Sequence, residues 1–425
     1  MTVYFAMVGC GGMGLRHAHG YIEARRTFES LDLAAVCDLH EAAADRVADE
    51  VERATGRRPK VYTDFHRMLE RERSLDAVEV VTDTRMHHTF AIQALEAGKH
   101  VMTEKPMGLT IRACKLMAEA ADRSGKVLSV AENFRRDPLN RLAKALLDAG
   151  AIGKPLFALD IAVSGGTEGV MHGTAWRAQK SAAGGIVMDA GVHNADLLIY
   201  LMGDVDSVYA ETAVMQPGRK HLSMSQMNAN LAAFYAHREA AEGKPREALE
   251  QDAADTAFAV IKFKSGAIGQ LTMTDSSKGY RLGAETVHGS EGTLVRSPSR
   301  SGKPPEVRRA DGSVLKGDAL LKLVPRFELD GNTSALWGGK RMASYDMPWE
   351  EIDRKIIAIE YQEFAEAVEQ SRQPEVGPTE GMAALGLLYA ILESGEVRAP
   401  VKLAEVLSGK VSAYQRPVNE AAGIM

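Results

Sequence analysis

Short apolar runs alternate with segments of helical spacing over the first 131 residues. Residues 3–8 have strand character, and 15–28 carry apolar positions three and four apart. The same couplet recurs: a strand at 31–37 and a helix at 42–54, then a short strand at 61–62 and a helix at 65–71. Residues 77–81 predict a buried strand, 86–97 a helix stopped by Gly98, and 100–103 a strand. A helix over 110–124 and a strand at 127–130 complete the series. Parallel strands need crossovers, so six strands with helices between them predict a doubly wound parallel sheet in a domain covering 1–131.

The pattern then changes. Asp137-Pro138 starts a helix that Gly150 ends, and from residue 156 strands dominate: 156–163, 205–214, 256–263, 267–274 and pieces near Thr286 and Leu294. One clear helix, 190–201, lies among them. Strands in succession predict a mainly antiparallel sheet in a second, α+β domain, 132–425. Residues 224–242 read as a helical insertion and 296–347 as long loops. The tail, 352–370 and 379–393, is helical, and its helices are expected to pack back on the first domain.

The first strand enters Gly9-Cys10-Gly11-Gly12-Met13-Gly14 and a helix follows, the setting that G-x-G-x-x-G requires. Gly9 permits the tight turn, Gly11 lets a pyrophosphate approach the backbone, and Gly14 lets the helix pack on the strand. Free N–H groups and the helix dipole would hold the phosphates. Alone this hexad is a weak signal. Asp38, at the end of the second strand and 24 positions after Gly14, strengthens it. A carboxylate about 20 residues on binds the adenosine ribose and repels a 2′-phosphate. Leu39 and His40 follow, and the nearest Arg is Arg46, so NAD is favoured over NADP.

The chain has 425 residues and a formal net charge of −6, which suits two domains and argues against a nucleic-acid partner. No apolar run approaches the ~20 residues of a membrane span, and the N-terminus reads as a core strand rather than a signal peptide. Cys10, Cys37 and Cys114 have neither metal spacing nor a disulfide framework, and a cytoplasmic location is expected.

Two stretches carry candidate chemistry. Lys105 lies just past the C-terminal end of a parallel strand, the edge where open α/β sheets bind ligands, and Pro106 restrains its backbone. A lysine there can exchange protons or stabilise an alkoxide; the alternative is an ordinary surface lysine. If residues 189–201 form one helix, Asp189, His193 and Asp196 share a face, and a carboxylate beside His193 makes it a sensible general base. The alternative is an N-cap aspartate and a hydrogen-bonded histidine. Trp176-Arg177 offers an aromatic face and a guanidinium, suited to a sugar or to anchoring a loop. His87-His88 could join a metal site, but nothing ties them to the second cluster, and no metal is expected.

Six segments together resemble the glucose–fructose oxidoreductase / inositol dehydrogenase / MocA (Gfo/Idh/MocA) family: VGCGGMG (8–14), VTDTRMHH (81–88), ALEAGKHVMTEKPMG (94–108), GGIVMDAGVHNADLL (184–198), ADTAFAVIKFKSGAIGQL (254–271) and ALGLLYAILESGEVRAPV (384–401). The resemblance implies a Rossmann domain followed by an α/β domain whose open sheet mediates homodimers or homotetramers. It implies hydride transfer between a nicotinamide and a secondary alcohol or ketone of a sugar, glycoside or cyclitol. Carried over by position, Lys105, Asp189 and His193 match the catalytic set. Gly9, Gly11, Gly12, Met13, Asp38, Thr82, His87 and Glu104 match positions around the cofactor, with Cys10 and Lys105 beside them. Asn133 and Arg135 join Trp176, Arg177, Asp189 and His193 on the expected substrate side. Asp83 stands where the family usually has Pro, and the loop 164–183 and both insertions are longer than in small members. Rival readings are a dihydrodiol dehydrogenase, a glycoside-cleaving enzyme that oxidises its substrate transiently with NAD, and a non-catalytic sugar sensor; Lys105, Asp189 and His193 together oppose the sensor.

Overall fold

The computed structural model describes residues 2–165, 169–171, 174–227, 229–241 and 248–424. Residues 166–168 and 172–173 of the glycine-rich stretch 165–173, and the end of the first insertion at Glu242, lie outside the described residues.

The first domain is built on strands β1 (Val3–Val8), β2 (Leu31–Cys37), β3 (Lys60–Tyr62), β4 (Ala77–Val80), β5 (His100–Glu104) and β6 (Leu128–Ala131). Helices α1 (Gly12–Thr27), α2 (Glu41–Thr55), α3 (Phe65–Arg71), α4 (Thr84–Glu96) and α5 (Ile111–Ser124) connect them. All pairs are parallel, in the order β3-β2-β1-β4-β5-β6. The chain therefore builds outward in both directions from β1 and β4, and a crevice opens at their carboxyl ends. The strands read as nearly unbroken apolar runs because helices cover both faces of the sheet. α4 begins at Thr84, two residues earlier than its spacing predicts, because the Asp83 carboxylate accepts from Arg85 N and caps it. The residue that departs from the family pattern thus starts the helix by another means.

Among the described residues the second sheet has nine strands. Its centre is Leu282–Gly289, Pro155–Gly165, Ile268–Ser277, Thr256–Phe263 and Val205–Ala213, in that order. The sheet is mixed rather than wholly antiparallel: Pro155–Gly165 runs parallel to Ile268–Ser277, more than a hundred residues away. The helices Gly191–Met202 and Pro378–Val397 lie on this sheet, and their apolar faces join its core. The other face is open, with Phe258, Val260 and Ile268 each more than half exposed.

The second insertion is not simply loop. It contains the strands Glu306–Arg309 and Val314–Leu315, which extend the sheet edge, and the helices Asp318–Leu323 and Gly331–Trp337. Pieces this short span too few residues for periodicity to show. The tail helix Trp349–Gln370 packs on α1 and adds Ile352, Ile356, Tyr361 and Phe364 to the core around Val3 and Phe5. Its Asp353 makes a two-pronged ion pair with Arg16 of α1, at 2.9 and 2.5 Å. Removing one partner of such a buried pair costs about 3–5 kcal/mol, so the contact fixes the tail helix against the first domain.

Candidate active site

A cavity of 850 Å³ runs from the glycine loop, past the carboxyl ends of β4 and β5, to Trp176, Arg177, Asp189 and His193 of the second domain. That is large within the range of small-molecule and cofactor sites, about 300–1,000 Å³.

The glycine loop forms one end. Gly9 has φ +98°, and a Cβ there would lie 2.5 Å from the Val81 carbonyl oxygen. A Cβ at Gly14 would lie 2.2 Å from the Gly9 oxygen. Only glycine lets β1, β4 and α1 meet this closely. Asp38 sits beside the loop, its Oδ2 accepting from Cys10 N at 2.7 Å and its Oδ1 from His40 N at 2.9 Å. The carboxylate thus stands at the rim of the cavity with lone pairs to spare for ribose hydroxyls. Arg46 is not part of the cavity wall, and its Nη2 donates to the Phe234 carbonyl at 3.1 Å. Farther in, Asn133 Oδ1 is buried without a hydrogen-bond partner among the described residues, as expected of a group awaiting a ligand. Loop, carboxylate and orphaned amide together fit a dinucleotide.

Gly9, Gly11, Gly12, Met13, Asp38, Thr82, His87, Glu104 and Lys105 all line the cavity. Cys10 does not: it is wholly buried, its amide spent on Asp38 and its thiol 3.7 Å from the Cys37 carbonyl. His87 braces two loops, its ring nitrogens 2.9 Å from the Pro106 oxygen and 3.1 Å from the Thr82 oxygen. Glu104 is turned inward, toward His17 Nε2 at 3.1 Å, and His17 Nδ1 meets Glu79 at 2.6 Å. Burial disfavours the charged form of Glu104, but the hydrogen bond and charge of His17 outweigh it and hold its pKa at about 2. His17 is correspondingly raised: burial opposes its charge, and Glu79 and Glu104 overcome that. This buried triad anchors the end of β5 and with it the next residue, Lys105.

Lys105 Nζ donates to the Asp189 carbonyl at 3.0 Å and lies 3.8 Å from its Oδ1. Arg177 Nε donates to Asp189 Oδ2 at 2.8 Å. Burial opposes the charged form of Asp189, but Arg177 and Lys105 together hold its carboxyl well below the usual carboxylate range. The Arg177 guanidinium lies over the Trp176 ring at 4.5 Å, and both residues line the cavity.

His193 is not oriented by Asp189. Its Nδ1 lies 2.7 and 2.9 Å from the two carboxylate oxygens of Glu132. The reason is local. The helix predicted over 189–201 is interrupted at Ala190, between Ile186–Asp189 and Gly191–Met202, and the Asp189 carboxylate is taken by Arg177 and Lys105. Phe134 stacks on the imidazole at 3.9 Å with the planes 4° apart. Burial and Lys105 lower the His193 pKa, while Glu132 raises it; the net direction is down. His193 is therefore neutral near pH 7, as a base must be to accept a proton. Asp196 does not join them. It forms a buried two-pronged pair with Arg135 at 2.8 and 2.5 Å, which removes Arg135 from the cavity wall and corrects its expected substrate role.

Sequence reasoning missed four residues. Glu132 follows β6 directly, the same strand-end position that singled out Lys105. His17 lies three residues after Gly14, on the buried side of α1. Arg300, from the second insertion, sits 4.8 Å above the Phe134 ring and pairs with Asp353 at 2.9 Å. Tyr235, from the first insertion, lines the cavity beside the glycine loop. For the last two, no periodicity or motif marks the residue.

Residues 3–132 match the family model described as "Oxidoreductase family, NAD-binding Rossmann fold", and residues 144–403 that described as "Oxidoreductase family, C-terminal alpha/beta domain". The chain is 29% identical over 291 residues to the levoglucosan dehydrogenase of Pseudarthrobacter phenanthrenivorans, covering 68% of this chain and 72% of that one. It is 26% identical over 406 residues to the myo-inositol 2-dehydrogenase of Thermotoga maritima, covering 94% and 98%. Among solved structures, levoglucosan dehydrogenase in complex with NADH and levoglucosan shares its fold, with a TM-score of 0.71 at 22% identity over 95% of this chain and 100% of that one.

Proposed function

Because the chain belongs to the Gfo/Idh/MocA oxidoreductase family, with its NAD-binding Rossmann fold, we propose that it transfers hydride between NAD and a secondary alcohol or ketone of a sugar, glycoside or cyclitol. The observation that carries this is convergence: the Lys105 ammonium of the first domain and the His193 imidazole of the second open on one cavity with the glycine loop and Asp38. The levoglucosan and inositol dehydrogenases among the relatives support the substrate class.

Bound NAD supplies the hydride acceptor, and the protein supplies position and charge. The glycine loop would hold the pyrophosphate and Asp38 the adenosine ribose. His193, its Nδ1 fixed by Glu132, takes the hydroxyl proton through its other nitrogen. Lys105 donates to the same oxygen as negative charge develops, in a wall that burial makes less polar than water. Asp189 and Arg177 hold the ammonium in place and orient hydroxyls, and Trp176 covers the apolar face of a ring. In reduction the proton moves the other way.

We assign the domain boundary to 131/132, just past β6. The open face with Phe258, Val260 and Ile268 supports a homodimer or homotetramer formed through that sheet, since apolar faces of this kind mark interfaces. The three free, buried cysteines suit a reducing cytoplasm. No helix of the described residues is long and apolar enough to cross a membrane.

A spectrophotometric screen of sugars, glycosides, cyclitols and dihydrodiols, with NAD and with NADP, tests the reading. NADH should form with at least one sugar or cyclitol. Asp38→Ala should weaken NAD at least about tenfold more than NADP, the worth of one charge-assisted hydrogen bond. Turnover of dihydrodiols alone, or release of free sugar without net NADH, would assign the site to another reaction.

A further inference from the structure

The first insertion does more than decorate the surface. Its helix Ala232–Ala241 packs against α1, where the Phe234 ring meets His19 edge-on at 5.2 Å. The Phe234 carbonyl accepts from Arg46 of α2. These two contacts seat Tyr235, itself buried, on the glycine loop. A Cβ at Gly12 would lie 2.5 Å from a Tyr235 ring carbon, so the missing side chain at Gly12 is the seat of that ring. Tyr235 and Arg177 line the same cavity, the tyrosine helps to hold the guanidinium charged, and Arg177 Nη1 is buried without a hydrogen-bond partner among the described residues. Arg177 pairs with Asp189, and Asp189 holds Lys105. One side chain from the insertion thus touches the glycine turn and stands beside the first link of a chain ending at the ammonium.

We propose that Tyr235 is a positioning residue: the inserted helix closes over the dinucleotide, and its tyrosine couples that closed state to the Arg177–Asp189–Lys105 chain. The inference rests on the dehydrogenase reading above and assigns a role to the insertion. The two ends of the side chain have separate tasks. The ring covers the loop and slows cofactor escape. The hydroxyl fixes Arg177 and, through Asp189, the direction of the Lys105 donor. Lids that exclude water and complete a catalytic set in this way are common in enzymes that must shield a reacting centre.

The experiment measures NADH affinity and release by fluorescence on the full-length wild type, Tyr235→Ala, Tyr235→Phe and Gly12→Ala, and kcat with a substrate from the screen. Tyr235→Ala should release NADH about tenfold faster and bind it correspondingly more weakly. Gly12→Ala should do the same, and adding it to Tyr235→Ala should cost little more, because the two changes remove one contact. Tyr235→Phe should keep wild-type NADH affinity yet lose about tenfold in kcat. Unchanged NADH binding in Tyr235→Ala would overturn the lid. Tighter binding would place the ring in the cofactor's own space and overturn it equally. Full kcat in Tyr235→Phe would overturn the link to Arg177. A wild type that binds no NADH would instead overturn the dehydrogenase reading from which the inference starts.

Discussion

Lys105→Ala should lower kcat by about 10²–10³-fold, the usual worth of one pre-aimed donor to a developing oxyanion. The ammonium is fixed before substrate arrives, by the Asp189 carbonyl at 3.0 Å and the end of β5. Alanine removes the donor and leaves Asp189 with Arg177 alone. NADH affinity should change little, because the glycine loop and Asp38 lie at the other end of the cavity. The pH profile carries an independent signature. The Lys105 charge helps to hold the His193 pKa down. Its loss raises that pKa, so the acid limb of kcat/KM should move to higher pH. Unchanged turnover would remove Lys105 from the chemistry. Lost NADH binding would assign Lys105 to holding the cofactor rather than to the chemistry.

Glu132→Gln should cost about 10²–10⁴-fold in kcat, the range for a positioned general base. An amide can donate to His193 Nδ1 as well as accept from it, so the tautomer that leaves the other nitrogen free to take a proton is no longer enforced. The sign of the pH effect is opposite to that of Lys105→Ala. The Glu132 charge raises the His193 pKa, so removing it lowers that pKa further and moves the acid limb to lower pH. The lost rate is therefore not recovered by raising pH. A small loss in Glu132→Gln with a large one in Asp189→Asn would restore Asp189 as the partner of His193.

The first domain is legible in the sequence because its strands are buried on both faces and its helices on one. The two periodicities alternate cleanly, and glycines mark the stops. The Lys105 site follows from the same logic, since a residue past a parallel strand faces the ligand crevice. Glu132 occupies the equivalent place after β6 and carries the same signal. The i, i+4 spacing of Asp189 and His193 is the more conspicuous pattern, and it points to the wrong carboxylate. Spacing reports a shared face, not a partner: the Asp189 carboxylate is taken by Arg177, and His193 finds Glu132. The parallel pair at the centre of the second sheet is hidden for a different reason: alternation reports which face is buried, not which strand lies alongside. The buried Arg135–Asp196 pair shows the limit of composition. A guanidinium two residues from Asn133 looks available until its carboxylate partner is located. Tyr235 and Arg300 come from insertions whose short elements follow no repeat, and their place in the site depends on where those segments dock.

The most direct test is a double-mutant cycle between the two domains: kcat/KM for Lys105→Ala, His193→Ala and the double variant, with NAD and a substrate from the screen. Groups that act on one oxygen as a unit lose most of their effect together, so the double variant should be little slower than the worse single. Losses that multiply in full would mean that the lysine and the histidine serve different events, contradicting a shared site.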